Sequence, residues 1–342
     1  MKKWLAGIAF VFCILSIYTV YHNHSWYQTA IVTVIEAKVI ETTSLQQDQL
    51  YEQQLTVEDH NGQSGILTNT YSNSRAFDQK YQRGDELFVK GDQIIGVKRD
   101  KYLVIAAWVF IFFLVLIGRK QGIRSLISFA LNVFILFMAI SVYVRYEKVN
   151  LLVSSAVATV LFTVISIIFV SGRTAKTTAA IIATLLGTSI AFIVALVAML
   201  LTNQQGLQYE EMQFLTRPYH IVFLAGLLIG SLGAVMDVAI TMTSALFSMQ
   251  HTATLQEIKQ AGQTIGKDIM GTITNILFFA YVSGAIPMML LYFKNGLPFG
   301  YTLSMNLSLE VARALAGGIG VVSTIPISIY VSLWLMKRKQ VA

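Results

Sequence analysis

The sequence predicts a polytopic α-helical membrane protein of about eight transmembrane helices, with a small extracytoplasmic β-barrel-like (OB- or SH3-like) domain between the first two. Three observations carry this. The 342-residue chain is 55% hydrophobic and 13% charged, where an ordinary soluble domain is roughly 25% charged. Eight apolar runs approach or exceed the about 20 residues that cross about 30 Å of hydrocarbon. Between the first two runs lies a stretch of alternating, β-branched sequence unlike anything after it.

The runs cover 4–21, 102–118, 123–144, 150–171, 177–201, 219–248, 268–293 and 309–336. The first follows Lys2 and Lys3, and no A-x-A-like cleavage site comes after it. It is read as an uncleaved anchor, residues 1–21. The other seven form a transmembrane domain, 101–342. With the N-terminus in the cytoplasm, inner segments hold twelve Lys and Arg residues; the short outer ones hold four, Arg145, Lys148, Arg217 and Lys294. That asymmetry predicts both termini inside and residues 22–100 outside. The net charge of +7 is therefore topological, and no nucleic-acid partner is expected. Cys13, the single cysteine, lies within the first run, so neither an intrachain disulfide nor a cysteine metal site is expected.

Residues 22–100 read as a β-rich domain. Alternation predicts strands near 30–41, 53–58 and 65–70, the last two joined by the hairpin signal Asn61-Gly62. Two shorter strands, 86–90 and 93–98, flank a turn at Gly91-Asp92. Arg83-Gly84-Asp85 is read as a turn before a strand. The domain suits sensing, partner docking or covering a gate, and its sequence names no ligand.

The polar positions inside the apolar runs are the candidate site. Gly226, Gly230, Gly233, Asp237, Thr241, Ser244 and Ser248 recur at spacings of three and four, which places them on one helix face. Glycines so spaced let helices pack closely. Packing never requires a carboxylate, and an acid deep in a bilayer is by default a functional hypothesis. In the next run Asp268, Thr272 and Asn275 share a face; Asp268, beside Lys267, fits a helix N-cap or first-turn acid. In the last, Glu310 and Arg313 are one turn apart, and Glu310, Gly317, Thr324 and Ser328 share a face thinned by Gly317, Gly318 and Gly320. Were the three faces to converge, Asp237, Asn275 and Thr324 would line a mid-membrane cavity, with Asp268 at its inner mouth and Glu310 at its outer one. Residues 251–267, with Leu255, Ile258, Ala261 and Ile265 at helical spacing, read as an amphipathic cytoplasmic helix.

The strings GSLGAVMDVAITMTSAL (230–246), IGKDIMGTITNILFFAYVSGAIP (265–287) and ARALAGGIGVVSTIP (312–326) resemble the YibE/F-like family of bacterial membrane proteins. The resemblance implies one anchor, a β-rich external segment, seven further spans and a bacterial plasma-membrane location. It also implies a partner: a second, shorter YibE/F-like membrane subunit or a homo-oligomer. It carries no biochemical activity.

The function expected from these residues is a membrane transporter or permease component, coupled to protons or another cation through Asp237. The alternative is an accessory or scaffold membrane protein that assembles or regulates a partner complex. An enzyme is not expected. An intramembrane aspartyl protease would need a Gly-x-Gly-Asp turn, and Ala234-Val235-Met236 precede Asp237. No Walker loop, HExxH zinc motif or dinucleotide fingerprint is present, so no cofactor is expected and no metal is assigned.

Overall fold

The computed structural model describes residues 14–20, 27, 29–45, 48–60, 62–73, 78–146, 149–209 and 218–341. The chain divides into two compact units, 1–118 and 119–342. Most of the first expected span, 4–21, lies outside the described residues, as do Cys13 and Asn61; residues 14–20 are helical.

In the first unit, five antiparallel strands appear where alternation predicts them: β1 (Ala30–Leu45), β2 (Asp48–Asp59), β3 (Ser64–Ser72), β4 (Glu86–Lys90) and β5 (Gln93–Val97). Their order in the sheet is β3-β2-β1-β4-β5. β1 and β2 form a longer hairpin than expected, because Glu41–Leu45 continues in register against Asp48–Glu52. Register shifts at Val34/Glu36 and Val39/Glu41 act as bulges that bend the strand and curl the sheet. The curl closes over Val34, Leu55, Val57, Leu67, Tyr81 and Leu87. Gly84 adopts φ +91° and its N–H donates to the Val34 carbonyl at 2.8 Å, while Val34 N–H donates to Asp85 at 2.9 Å. The Arg83-Gly84-Asp85 tripeptide is thus a turn locked to β1.

Buried polar groups hold this unit together. Gln53 donates its side-chain amide to the Tyr81 carbonyl at 2.7 Å, and its Oε1 accepts from Tyr81 N–H at 3.2 Å. Lys98 pairs with Glu86 at 2.7 Å with its side chain fully enclosed, and it also donates to the Val20 carbonyl at 3.2 Å. Tyr27 donates to the Asp100 carboxylate. Burial, and next that bond, push its phenol up to about 12, so it stays a donor throughout the physiological range.

The helices are α1 (Asp100–Arg145), α2 (Leu151–Ser171), α3 (Ala175–Leu201), α4 (Tyr219–Ser248), α5 (Leu255–Lys294) and α6 (Phe299–Val341). Among the described residues these six are long and apolar enough to cross a membrane. The expected eight are not reached, for two reasons. The first span is mostly undescribed, and 102–118 and 123–144 are carried on α1. At 46 residues α1 would measure about 69 Å, twice a hydrocarbon core. Its backbone departs from helix at Arg119 (φ 47°, ψ −122°), within the polar joint Gly118-Arg119-Lys120 that separates the two apolar runs.

A second difference concerns the expected cytoplasmic helix at 251–267, which is continuous with the span after it. Thr254 caps α5 in a reciprocal capping box with Glu257, and no helix-breaking residue intervenes before the apolar stretch. The amphipathic face does not lie free: Ile258 is buried with Leu246 and Ile329. In the second unit α6 packs on α3, α4 and α5, and α4 also packs on α2 and α3.

The Lys98–Glu86 pair yields the first prediction. Lys98→Met leaves a buried carboxylate alone and is expected to cost about 3–5 kcal/mol, whereas Lys98→Met with Glu86→Leu costs much less. Hydrogen exchange of the β4 and β5 amides in the detergent-purified chain measures both; equal losses would show that the charges are not coupled.

Candidate functional site

Asp237 lies about 5 Å from the midpoint of α4, three and a half residues at 1.5 Å each. Gly226, Gly230, Gly233, Thr241 and Ser248 share its face as their spacing predicts, and this face is the exposed one. A β-carbon added to Gly226 or Gly233 would meet nothing within 4 Å. Of these three glycines only Gly230 packs closely, where the Tyr281 hydroxyl of α5 occupies the space of its missing side chain. Among the described residues Asp237 has no hydrogen bond or ion pair, and Lys98–Glu86, Lys38–Glu36 and Arg313–Glu310 are the side-chain salt bridges.

The opposite side of α4 is closed. Val235, fully buried, sits 200° around the helix from Asp237 and lies against Gly187 of α3 and Gly320 of α6. Thr324 belongs to this closed side: its hydroxyl fills the space a β-carbon on Gly187 would take, and it donates to the Gly320 carbonyl at 2.7 Å. Asp237 and Thr324 are therefore held on opposite flanks of α4. The expected convergence fails because Gly187 and Gly320 admit Val235, and that contact sets the rotation of α4.

Asn275 is exposed on α5, 200° around from Leu277, which packs on Gly317. Thr274 points inward toward Gly318. Asp268 is exposed, and the N-cap reading for it is corrected: α5 begins at Leu255 and its cap is Thr254. Glu310 pairs with Arg313 at 2.5 Å, and that guanidinium lies 5.2 Å from the Phe223 ring centroid. Of the packing glycines, Gly317 lies against Leu277 and Gly320 against Ala191.

The second unit also buries a row of hydroxyls on α3 and another on α6, two helices that meet in a seam at Gly187 and Thr324. Thr184 and Thr188 on one helix and Thr324, Ser328 and Ser332 on the other have at most 1% of their surface accessible. Thr324 turns its proton onto its own helix, as Thr243 does onto Ala239 at 2.7 Å. The α3 half of this seam, and the packing glycines Gly187, Gly262 and Gly266, are not among the sequence candidates. The signal for the α3 half is present in the spacing of Ala180, Thr184, Gly187, Ala191 and Ala195, by four, three, four and four, which is the small-residue periodicity of a close helix pair. Among the described residues no three His, Cys, Asp or Glu gather as a metal site.

Six long apolar helices and a curled five-stranded sheet define a class: a mostly helical chain compatible with multi-pass insertion in a membrane. The chain belongs to the YibE/F family. The YibE/F-like protein model matches residues 106–338 and the YibE/F family N-terminal domain model matches residues 25–100. No curated protein and no solved structure matches it.

The Gly187–Thr324 contact is testable in isolation. Gly187→Ala overpacks the seam and is expected to destabilise by about 1–3 kcal/mol, while Gly233→Ala, into open space, does not lower the melting temperature. Adding Thr324→Ala to Gly187→Ala restores most of the loss; an unrescued double variant would place the clash elsewhere.

Proposed function

We propose that this chain is a multi-pass bacterial plasma-membrane component of a transport system, coupled to protons or another cation through Asp237. One observation carries the reading: a carboxylate without a basic partner among the described residues lies near the middle of a 30-residue apolar helix. Lipid does not solvate such a charge, so the group works either as a neutral acid or in contact with water, a cation or another protein. Alternation between those surroundings is the elementary step of ion-coupled transport. The chain is read as a transport component and not as an enzyme.

In this reading α1 supplies two spans, parted at Arg119, and the anchor at 4–21 supplies another, which gives eight with both termini inside. The β-rich unit then lies outside, and its strand order, with β3 and β5 approaching across the opening, supports an OB-like barrel. The open face of Gly226, Gly233, Asp237 and Thr241 is where a second subunit, either a shorter family member or another copy, would complete the polar path. Asn275 and Asp268 extend that path on α5. Thr324 and Glu310 serve the closed interior, as a seam contact and as a partner of Arg313.

The second reading, a non-transporting accessory or scaffold protein, is favoured by the glycine-mediated packing of α3, α4 and α6, which fills the interior with side chains. Asp237→Asn separates the two. In proteoliposomes the transport reading expects gradient-driven flux, screened against pH and cation gradients, to be lost in this variant with its melting temperature retained. Asp237 is expected to be labelled by a lipid-soluble carbodiimide. A variant with unchanged flux and a wild-type residue inert to the reagent would leave the scaffold.

A further inference from the structure

A groove of about 410 Å³ runs between α5 and α6 at the capped end of α5, with room for roughly a dozen waters. Its two walls differ in chemistry. From α5 come Lys259, Gln263 and Lys267, and from α6 come Val322, Ile325 and Ile329. Among the described residues neither lysine has a carboxylate partner. The nearby acids are otherwise placed: Glu257 is held by the Thr254 cap, and Asp268 is not part of the groove lining. One wall thus carries two unneutralised cations beside Gly266 and Met270, and the facing wall, Tyr330 aside, is apolar.

The height of the groove is marked by its neighbours. Lys259 lies 5.6 Å from the Tyr330 ring centroid, and one turn further along α6 Arg338 lies 5.7 Å from that of Trp334. Both aromatic rings are exposed. Exposed Tyr and Trp interleaved with Lys and Arg form the belt that settles at a membrane–water boundary. Lys267 stands where the polar start of α5 passes into its apolar stretch, with its ammonium free to reach the interface.

We infer that this groove binds an anionic phospholipid, its phosphate along the Lys259–Lys267 wall and the start of an acyl chain against Val322, Ile325 and Ile329. The inference rests on the membrane reading above. A basic pocket between spanning helices on the inner side suits an acidic headgroup. A free phosphate would leave the apolar wall bare, and a zwitterionic lipid would bring a cation of its own to a wall that already holds two ammoniums.

Phosphatidylglycerol titrated into the detergent-purified chain is expected to raise its melting temperature saturably, with weaker binding at high salt. Phosphatidylcholine and inorganic phosphate at the same concentrations give no shift. Lys259→Gln with Lys267→Gln is expected to weaken phosphatidylglycerol binding about 10-fold or more. Should that variant fold poorly, Val322→Trp, which fills the apolar wall and keeps both lysines, lowers affinity as well. Equal binding by wild type and either folded variant, or an equal shift with phosphate or phosphatidylcholine, would overturn the proposal. Release of the chain from cell membranes without detergent would defeat the membrane reading instead, and the two failures are distinguishable.

Discussion

The helical unit depends on one place where three helices come closer than side chains allow. Gly187 and Gly320 contribute no side chain, so the Thr324 hydroxyl, Val235 and Ala191 meet in the space left between α3, α4 and α6. Helices in lipid gain nothing from hiding oil from oil, and they associate through such close van der Waals contact. The contact also sets orientation. With Val235 pressed inward, Asp237 has no freedom to turn into the bundle, and its face is left to whatever lies outside the single chain.

Long apolar helices were legible in outline because their length and hydropathy are read directly from the sequence. Strands of the β-rich unit were legible for a different reason, the alternation of Val32, Val34, Leu55, Val57, Leu87 and Val89 toward one side. The Lys98–Glu86 pair was not legible, since pairing depends on how β4 and β5 lie together and no local spacing encodes it. The start of α5 is legible as amphipathic. Its continuity is not, because the charged Lys267-Asp268 pair after Gly266 looks like a boundary, whereas Gly266 is an inward seat for Ile325.

For the candidate site, periodicity groups Asp237 with Gly226, Gly233 and Thr241 on one face of α4 and cannot say which way that face turns. Rotation of a helix about its own axis is decided by contacts from other helices, and here the deciding residues, Gly187 and Gly320, lie on chain segments far apart in sequence. The acid, the stripe and the Glu310–Arg313 pair were visible from local spacing alone. The hydroxyl seam needed both of its helices to be considered together.

One consequence of the unbroken α5 is mechanical. From its cap at Thr254 to Tyr281 the helix has no proline, and that length is about 40 Å. Ile325 and Ile329 rest in the notches at Gly266 and Gly262, so α5 cannot turn about its own axis without displacing both side chains. The polar end is thereby joined, with no proline between, to the Tyr281–Gly230 contact, on the same flank of α4 that carries its lone acid.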